Sequence, residues 1–247
     1  MADILTTPRI TILDDPARAA AEEISALLDE TPSAVLGLAT GGTMIPVYRR
    51  IAEGCAASRM SLARTTTFNL DEYVGLPPRH RQSYHHFMTE HLVNQSDMNP
   101  ARMHLPDGAA PDPDAEAARY EAMIARQGPI DLQLLGIGAN GHIGFNEPGS
   151  PGDSRTRVVE LTARTRRDNA RYFAPGEPVP THAITMGIAT ILAARRIVLL
   201  ATGSGKAQAI ASLLEGVPRS DCPASFLLRH RQVHLLLDPA AASLIRR

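Results

Sequence analysis

Strand-length apolar runs alternate with helical patterns along this chain, and most of the runs end in short turns. Residues 9–13 (RITIL), 34–39 (AVLGLA), 65–70 (TTTFNL), 131–135 (DLQLL), 157–161 (RVVEL), 197–201 (IVLLA) and 233–237 (VHLLL) read as strands. Residues 16–30, opened by Asp14-Asp15-Pro16, read as a helix, as do 44–54, a segment capped by Ser83 and running to Leu92, 114–127, the apolar stretch 182–194, and 205–215. Several strands are unbroken apolar runs, the pattern of a sheet covered on both faces. The alternation predicts an α/β fold: a doubly wound, mostly parallel sheet with helices on both faces. Proline-rich loops at 104–113 and 174–181 do not divide the chain, because strand patterns continue beyond both. Residues 1–247 therefore read as a single domain.

Parallel sheets of this kind bind ligands at the carboxyl ends of their strands, so the residues after each strand matter most. After 34–39 comes Thr40-Gly41-Gly42-Thr43, then a helix. Gly42 and Thr43 would let backbone N–H groups and a hydroxyl approach a phosphate. After 197–201 comes Thr202-Gly203-Ser204-Gly205-Lys206. Lys206 is the single lysine among 25 basic residues, the rest being arginine. A compact ammonium at a glycine-rich strand end suggests an anion contact. A Walker loop is excluded, because Leu200 and Ala207 stand where it needs Gly and Ser or Thr. The anion therefore reads as a small substrate's phosphate. After 65–70 come Asp71 and Glu72, candidates for proton transfer, one of which is expected to serve as a cap or an ion-pair partner.

The run GIGANG (136–141) matches the dinucleotide fingerprint G-x-G-x-x-G. That fingerprint must open a helix, and Pro148, Gly149, Pro151 and Gly152 occupy the span the helix would need. The glycines instead read as a loop presenting His142 and Glu147, a proton-relay pair in which the acid fixes the imidazole tautomer. His80, His85 and His86 do not repeat at a helical ligand spacing joined to Cys or acids, so no metal is expected.

A net charge of −1 excludes a bulk field for nucleic acid or an anionic membrane. No apolar run reaches the ~20 residues of a membrane span, and the start MADILTTPRI has no signal-peptide pattern. With two cysteines and no CxxC, the chain reads as cytoplasmic.

Together, LGLATGGT (36–43), TFNLDEYVGL (67–76), LLGIGANGHIGFNEPGS (134–150), SRTRVVEL (154–161), NARYF (169–173) and ATGSGKAQA (201–209) resemble the glucosamine-6-phosphate deaminase family. The resemblance runs from about residue 33 to the end of the chain, and FNLDEYVGL and GHIGFNEPG are its specific blocks. It implies a Rossmann-like three-layer sandwich. It also implies conversion of glucosamine 6-phosphate and water to fructose 6-phosphate and ammonia, without cofactor.

Carried over by motif, Asp71 looks like the base that moves a proton between adjacent sugar carbons, with Glu72 in support. His142, oriented by Glu147, looks like the group that assists ring opening. Asn140 stands where family members carry Asp or Asn, so it can hydrogen-bond but brings no charge. Gly42, Thr43, Arg171 and Lys206 look like the phosphate clamp, and 150–181 like a lid. Some members are activated by N-acetylglucosamine 6-phosphate. Ser150 and Arg157 match part of that site, but Val159 replaces an expected Lys and the chain stops at Arg247, so no activation is expected. A 6-phosphogluconolactonase and a non-catalytic sugar-phosphate sensor are the alternative functions, and galactosamine 6-phosphate the alternative substrate. The partner is an amino-sugar phosphate, bound by a monomer or homo-oligomer.

Overall fold

The computed structural model of the chain describes residues 5–245. In chain order the elements are β1 (Arg9–Ile12), α1 (Pro16–Glu30), β2 (Val35–Leu38), α2 (Ile45–Ala56), β3 (Thr66–Asn69), β4 (Asp71–Tyr73), α3 (Tyr84–His91), β5 (Met103–His104), α4 (Pro113–Gln127), β6 (Leu132–Leu135), β7 (Arg157–Glu160), α5 (Ala163–Ala170), β8 (His182–Thr185), α6 (Ile188–Leu192), β9 (Ile197–Ala201), α7 (Ala207–Leu213) and β10 (Val233–Leu237). Seven strands form one sheet in the order β1-β10-β9-β6-β2-β3-β5. Every pairing in it is parallel.

Leu134 and Leu135 point to opposite faces of this sheet, as do Leu199 and Leu200. All four are 0% exposed, so both faces are covered. Burying each such side chain contributes roughly 1.5–3 kcal/mol. Helix starts follow local chemistry: Asp15 accepts the Arg18 N–H ahead of Pro16 in α1, and Ser83 accepts the His86 N–H in α3.

The chain runs outward through β2, β3 and β5, then returns to lay β6 beside β2 and continues through β9 to β10. The winding direction reverses between β2 and β6, where doubly wound sheets open a crevice. The turns after β9, β6, β2 and β3, neighbours in the sheet, all emerge at that edge.

Residues 182–194 correct the sequence expectation of one apolar helix. His182–Thr185 form β8, and a helix resumes only at Ile188. Apolar periodicity could not reveal that β4 and β7 flank this segment in an antiparallel sheet of order β4-β8-β7. Gly187 ends the strand against the chain at Ser154, where a Cβ would fall 2.1 Å from the Ser154 carbonyl oxygen. This small sheet carries its own cluster of Tyr73, Phe145, Leu161, Phe173 and Ala183. The 205–215 helix is shorter than its pattern suggests, with a 3-10 turn at Ser204–Lys206 preceding α7.

Candidate active site

Between β3 and β4 the chain leaves the parallel sheet and enters the antiparallel one, with Leu70 bridging both: its N–H donates to Leu38, and its carbonyl accepts from Met186. Asp71 is therefore held by strand pairing, opposite Thr185, just beyond the carboxyl edge. Successive strand residues face opposite ways, which separates the fates of the two acids. Glu72 turns toward α3 and accepts the N–H groups of Tyr73, Tyr84 and His85, each at 2.9 Å. It caps that helix with a buried carboxylate, which favours the dipole as well as the free N–H groups. Burial pushes Glu72 up to about 7 against those donors. Asp71, 6% exposed, is pushed up to about 8, first by burial and then by the charge of Glu72. Gly144 lies beside it with φ +55°, and a Cβ there would sit 3.4 Å from Asp71 Oδ2.

The loop after β6 makes no helix at GIGANG. Gly138 serves a different end: a Cβ would fall 2.3–2.4 Å from three atoms of the His142 ring. The missing side chain is the seat of the imidazole. His142 Nδ1 faces Glu147 Oε2 at 3.6 Å, an ion-pair separation that is too long for a hydrogen bond. Asn140 bridges the two, donating to Glu147 Oε2 at 2.7 Å and accepting the His142 backbone N–H at 3.3 Å. The other oxygen of Glu147, Oε1, accepts the hydroxyl of Thr165. Burial would raise Glu147, but His142, Thr165 and Asn140 together hold it down to about 2. The loop is braced from below by Asn146, whose amide donates to the carbonyls of Ile143 and Met186.

On the β2 side, the N–H of Met44 closes a turn onto Gly41, leaving Gly42 exposed at its tip and Thr43 beside it. On the β9 side, Gly203 (φ +85°) is anchored by its N–H to Asp238 at 2.8 Å, and half-buried Lys206 follows. Burial lowers Lys206, and the like charge of Arg171 lowers it further, against Asp168. Arg171, the C-cap of α5, thus approaches the lysine from across the edge of the sheet. The two cations, with Asp168 also acting on Lys206 and the Arg171 guanidinium donating to the Tyr172 hydroxyl at 2.9 Å, make a positively charged edge suited to an anion. Among the described residues, no three His, Cys, Asp or Glu side chains gather into a set that could hold a metal ion. Thr165, Asn169 and Tyr73 were missed by the sequence reading. Thr165 and Asn169 sit on a helix with no apolar periodicity, and Tyr73 lies past the end of the strand read at 65–70, where no role was assigned to it.

The description "Glucosamine-6-phosphate isomerases/6-phosphogluconolactonase" belongs to a family whose model matches residues 11–236. The chain is 55% identical over 214 residues to a glucosamine-6-phosphate deaminase of Rhodopirellula baltica, covering 87% of this chain and 85% of that one. It is 51% identical over 238 residues to a glucosamine-6-phosphate deaminase of Shewanella loihica, covering 95% and 89%. Among solved structures it is similar to a monomeric glucosamine-6-phosphate deaminase, with TM-score 0.92 and 45% identity, covering 96% of this chain and all of that one. A 6-phosphogluconolactonase from Leishmania guyanensis has TM-score 0.78 at 22% identity, covering 98% of this chain and 100% of that one, a likeness of fold alone.

Proposed function

The chain belongs to the family of glucosamine-6-phosphate isomerases and 6-phosphogluconolactonases, and we propose that within it this protein is a glucosamine-6-phosphate deaminase. It converts glucosamine 6-phosphate and water to fructose 6-phosphate and ammonia. The observation that carries the reading is the placement of a desolvated carboxylate, Asp71, at the same sheet edge as the His142–Glu147 pair and the two cations Arg171 and Lys206.

The chemistry divides among these groups. Lys206, Arg171, Thr43 and the backbone at Gly42 hold the phosphate away from the reacting carbons, so that binding energy orients the sugar. His142, steadied by Glu147 and Asn140, transfers the proton that opens the ring. Asp71 then takes the proton from the carbon bearing the amine and returns it to the neighbouring aldehyde carbon. An ordinary carboxylate near pKa ~4 is a poor base for a carbon acid, and the raised pKa makes Asp71 a better one. Water adds to the resulting imine, and the carbinolamine collapses to the ketose with loss of ammonia. No step asks for a metal or a redox cofactor. Of the stretch 150–181 expected as a lid, Arg157–Glu160 is strand β7, so the lid is the segment 162–181 that joins β7 to β8. Its far end is tied by His80 Nε2 to Glu177 Oε1 at 2.7 Å.

No helix among the described residues is long and apolar enough to cross a membrane. Free Cys55 and Cys222 fit a cytoplasmic enzyme, and of the two expected states, monomer and homo-oligomer, the likeness to a monomeric deaminase supports the monomer. The test is incubation with glucosamine 6-phosphate and, in parallel, galactosamine 6-phosphate and 6-phosphogluconolactone. Equal release of ammonia and keto-sugar from an amino sugar is expected. Lactone hydrolysis without ammonia would replace this reading.

A further inference from the structure

Helix α5 lacks the usual means of docking. Its sequence, ARTRRDNA, has no apolar stripe, and Thr165 is its sole buried residue. A helix of this length has little stability of its own, and most surface helices are held by a buried apolar face. Here two polar contacts one turn apart hold the helix itself, between buried Leu161 before it and buried Phe173 after it. The Thr165 hydroxyl donates to Glu147 Oε1, and Asn169 donates to the Tyr73 hydroxyl at 2.8 Å. The N-cap Thr162 fixes Thr165 in turn, accepting its N–H at 3.1 Å and donating to its Oγ1 at 3.0 Å. Arg171 ends the same helix, close enough to Lys206 for the two charges to repel. Beyond it, a cavity of about 730 Å³ lies between Tyr172–Phe173–Ala174 and the loop at Arg79–His80, spanned by the His80–Glu177 contact.

We propose that Thr165 is a positioning residue that seats Glu147, and through it His142, only when α5 is docked, so that capture of the substrate's phosphate at Arg171 sets the acid–base pair. This inference rests on the deaminase reading above. Glu147 divides its two oxygens between the loop and the lid: Oε2 meets Asn140 and faces His142, and Oε1 is fixed by Thr165. Without the lid hydroxyl, the carboxylate is free to rotate away from the imidazole. A phosphate placed between Arg171 and Lys206 replaces their repulsion with two attractions and favours the docked helix. Binding energy from a remote part of the substrate is thereby spent on arranging the reacting groups.

The test compares wild type, Thr165→Val, Thr165→Ser, Glu147→Gln and the double variant Thr165→Val/Glu147→Gln on glucosamine 6-phosphate. Thr165→Val should lower kcat by roughly tenfold or more, with KM within about threefold of wild type. Thr165→Ser should restore kcat to within about threefold. In the Glu147→Gln background, Thr165→Val should cost less than about twofold more, because the two act as one unit. An unchanged kcat, a loss confined to KM, failure of serine to restore, or multiplying losses in the double variant would overturn the proposal. Thr165→Ala repeats the comparison if valine disturbs folding. A wild type that releases no ammonia overturns the deaminase reading itself, whereas an active wild type with an indifferent Thr165→Val overturns only the coupling.

Discussion

Asp71 and Glu72 are adjacent in sequence and opposite in role, and the pleat of a three-residue strand is the reason. Glu72 is consumed by the N-terminus of α3, yet its charge still reaches Asp71 and raises it. Glu72→Gln removes that charge and leaves an oxygen able to cap the helix. The acid limb of the kcat/KM profile should therefore move to lower pH, since the base then ionises more readily; a limb that stays put or moves up would show that the carboxylates do not communicate. The limb belongs to the coupled pair, so its midpoint is that of the pair and of neither acid alone. Gly138 permits a second residue-scale prediction. Adding one methyl group by Gly138→Ala drives a Cβ into the His142 ring. The ring must shift, at a cost of roughly 1–3 kcal/mol in stability, and kcat should fall by about tenfold or more. Full activity in that variant would mean that the imidazole does not need its seat. The six letters GIGANG thus resemble a cofactor signature because both uses require backbone without side chain, one for a pyrophosphate and the other for an imidazole.

At the scale of elements, legibility followed the range of the forces involved. Helix α1 runs Pro16–Glu30 and β10 runs Val233–Leu237, with the limits that capping and apolar runs set. Local chemistry decides such elements. Residues 182–194 were misread because their strand character comes from β4 and β7, more than a hundred and about twenty residues away respectively in sequence, and no local period records such partners. Helix α5 left no trace for the opposite reason: it is docked by Thr165 and Asn169 without any periodic apolar face. The glycine turns, His142 and Lys206 were visible because their residue types are chemically specific. β7 adds a prediction of its own. Arg157 points back to the loop that carries His142 and Glu147, donating to Asn146 at 2.8 Å and to Ser150 at 3.2 Å, and Val159 follows where the family resemblance leads one to expect a lysine. With this guanidinium used as an internal brace, N-acetylglucosamine 6-phosphate should leave the rate curve hyperbolic and unshifted. A steeper or left-shifted curve on adding it would mean that Arg157 can be released from Asn146 and Ser150.

For the whole molecule, the role proposed for Asp71 as the base conflicts with stability. Folding raises this carboxyl from about 4 in the unfolded chain to about 8. Between those values the native state holds a proton that the unfolded state has lost, so this group's contribution to stability falls as pH rises from about 4 through about 8. Above that range the fold carries a desolvated charge beside Glu72. Asp71→Asn keeps the shape and removes the titration. The variant should lose at least about a hundredfold in turnover while binding the phosphate sugar nearly unchanged. Its melting temperature relative to wild type should rise with pH, with a gain of roughly 2–4 °C for each kcal/mol relieved. Thermal melts of both proteins at pH 5 and pH 8.5 measure this directly: the gap between them should widen in favour of the asparagine variant at the higher pH. A gap that is constant, or that narrows, would show that Asp71 is not held as a strained charge and would remove the physical basis for its strength as a base.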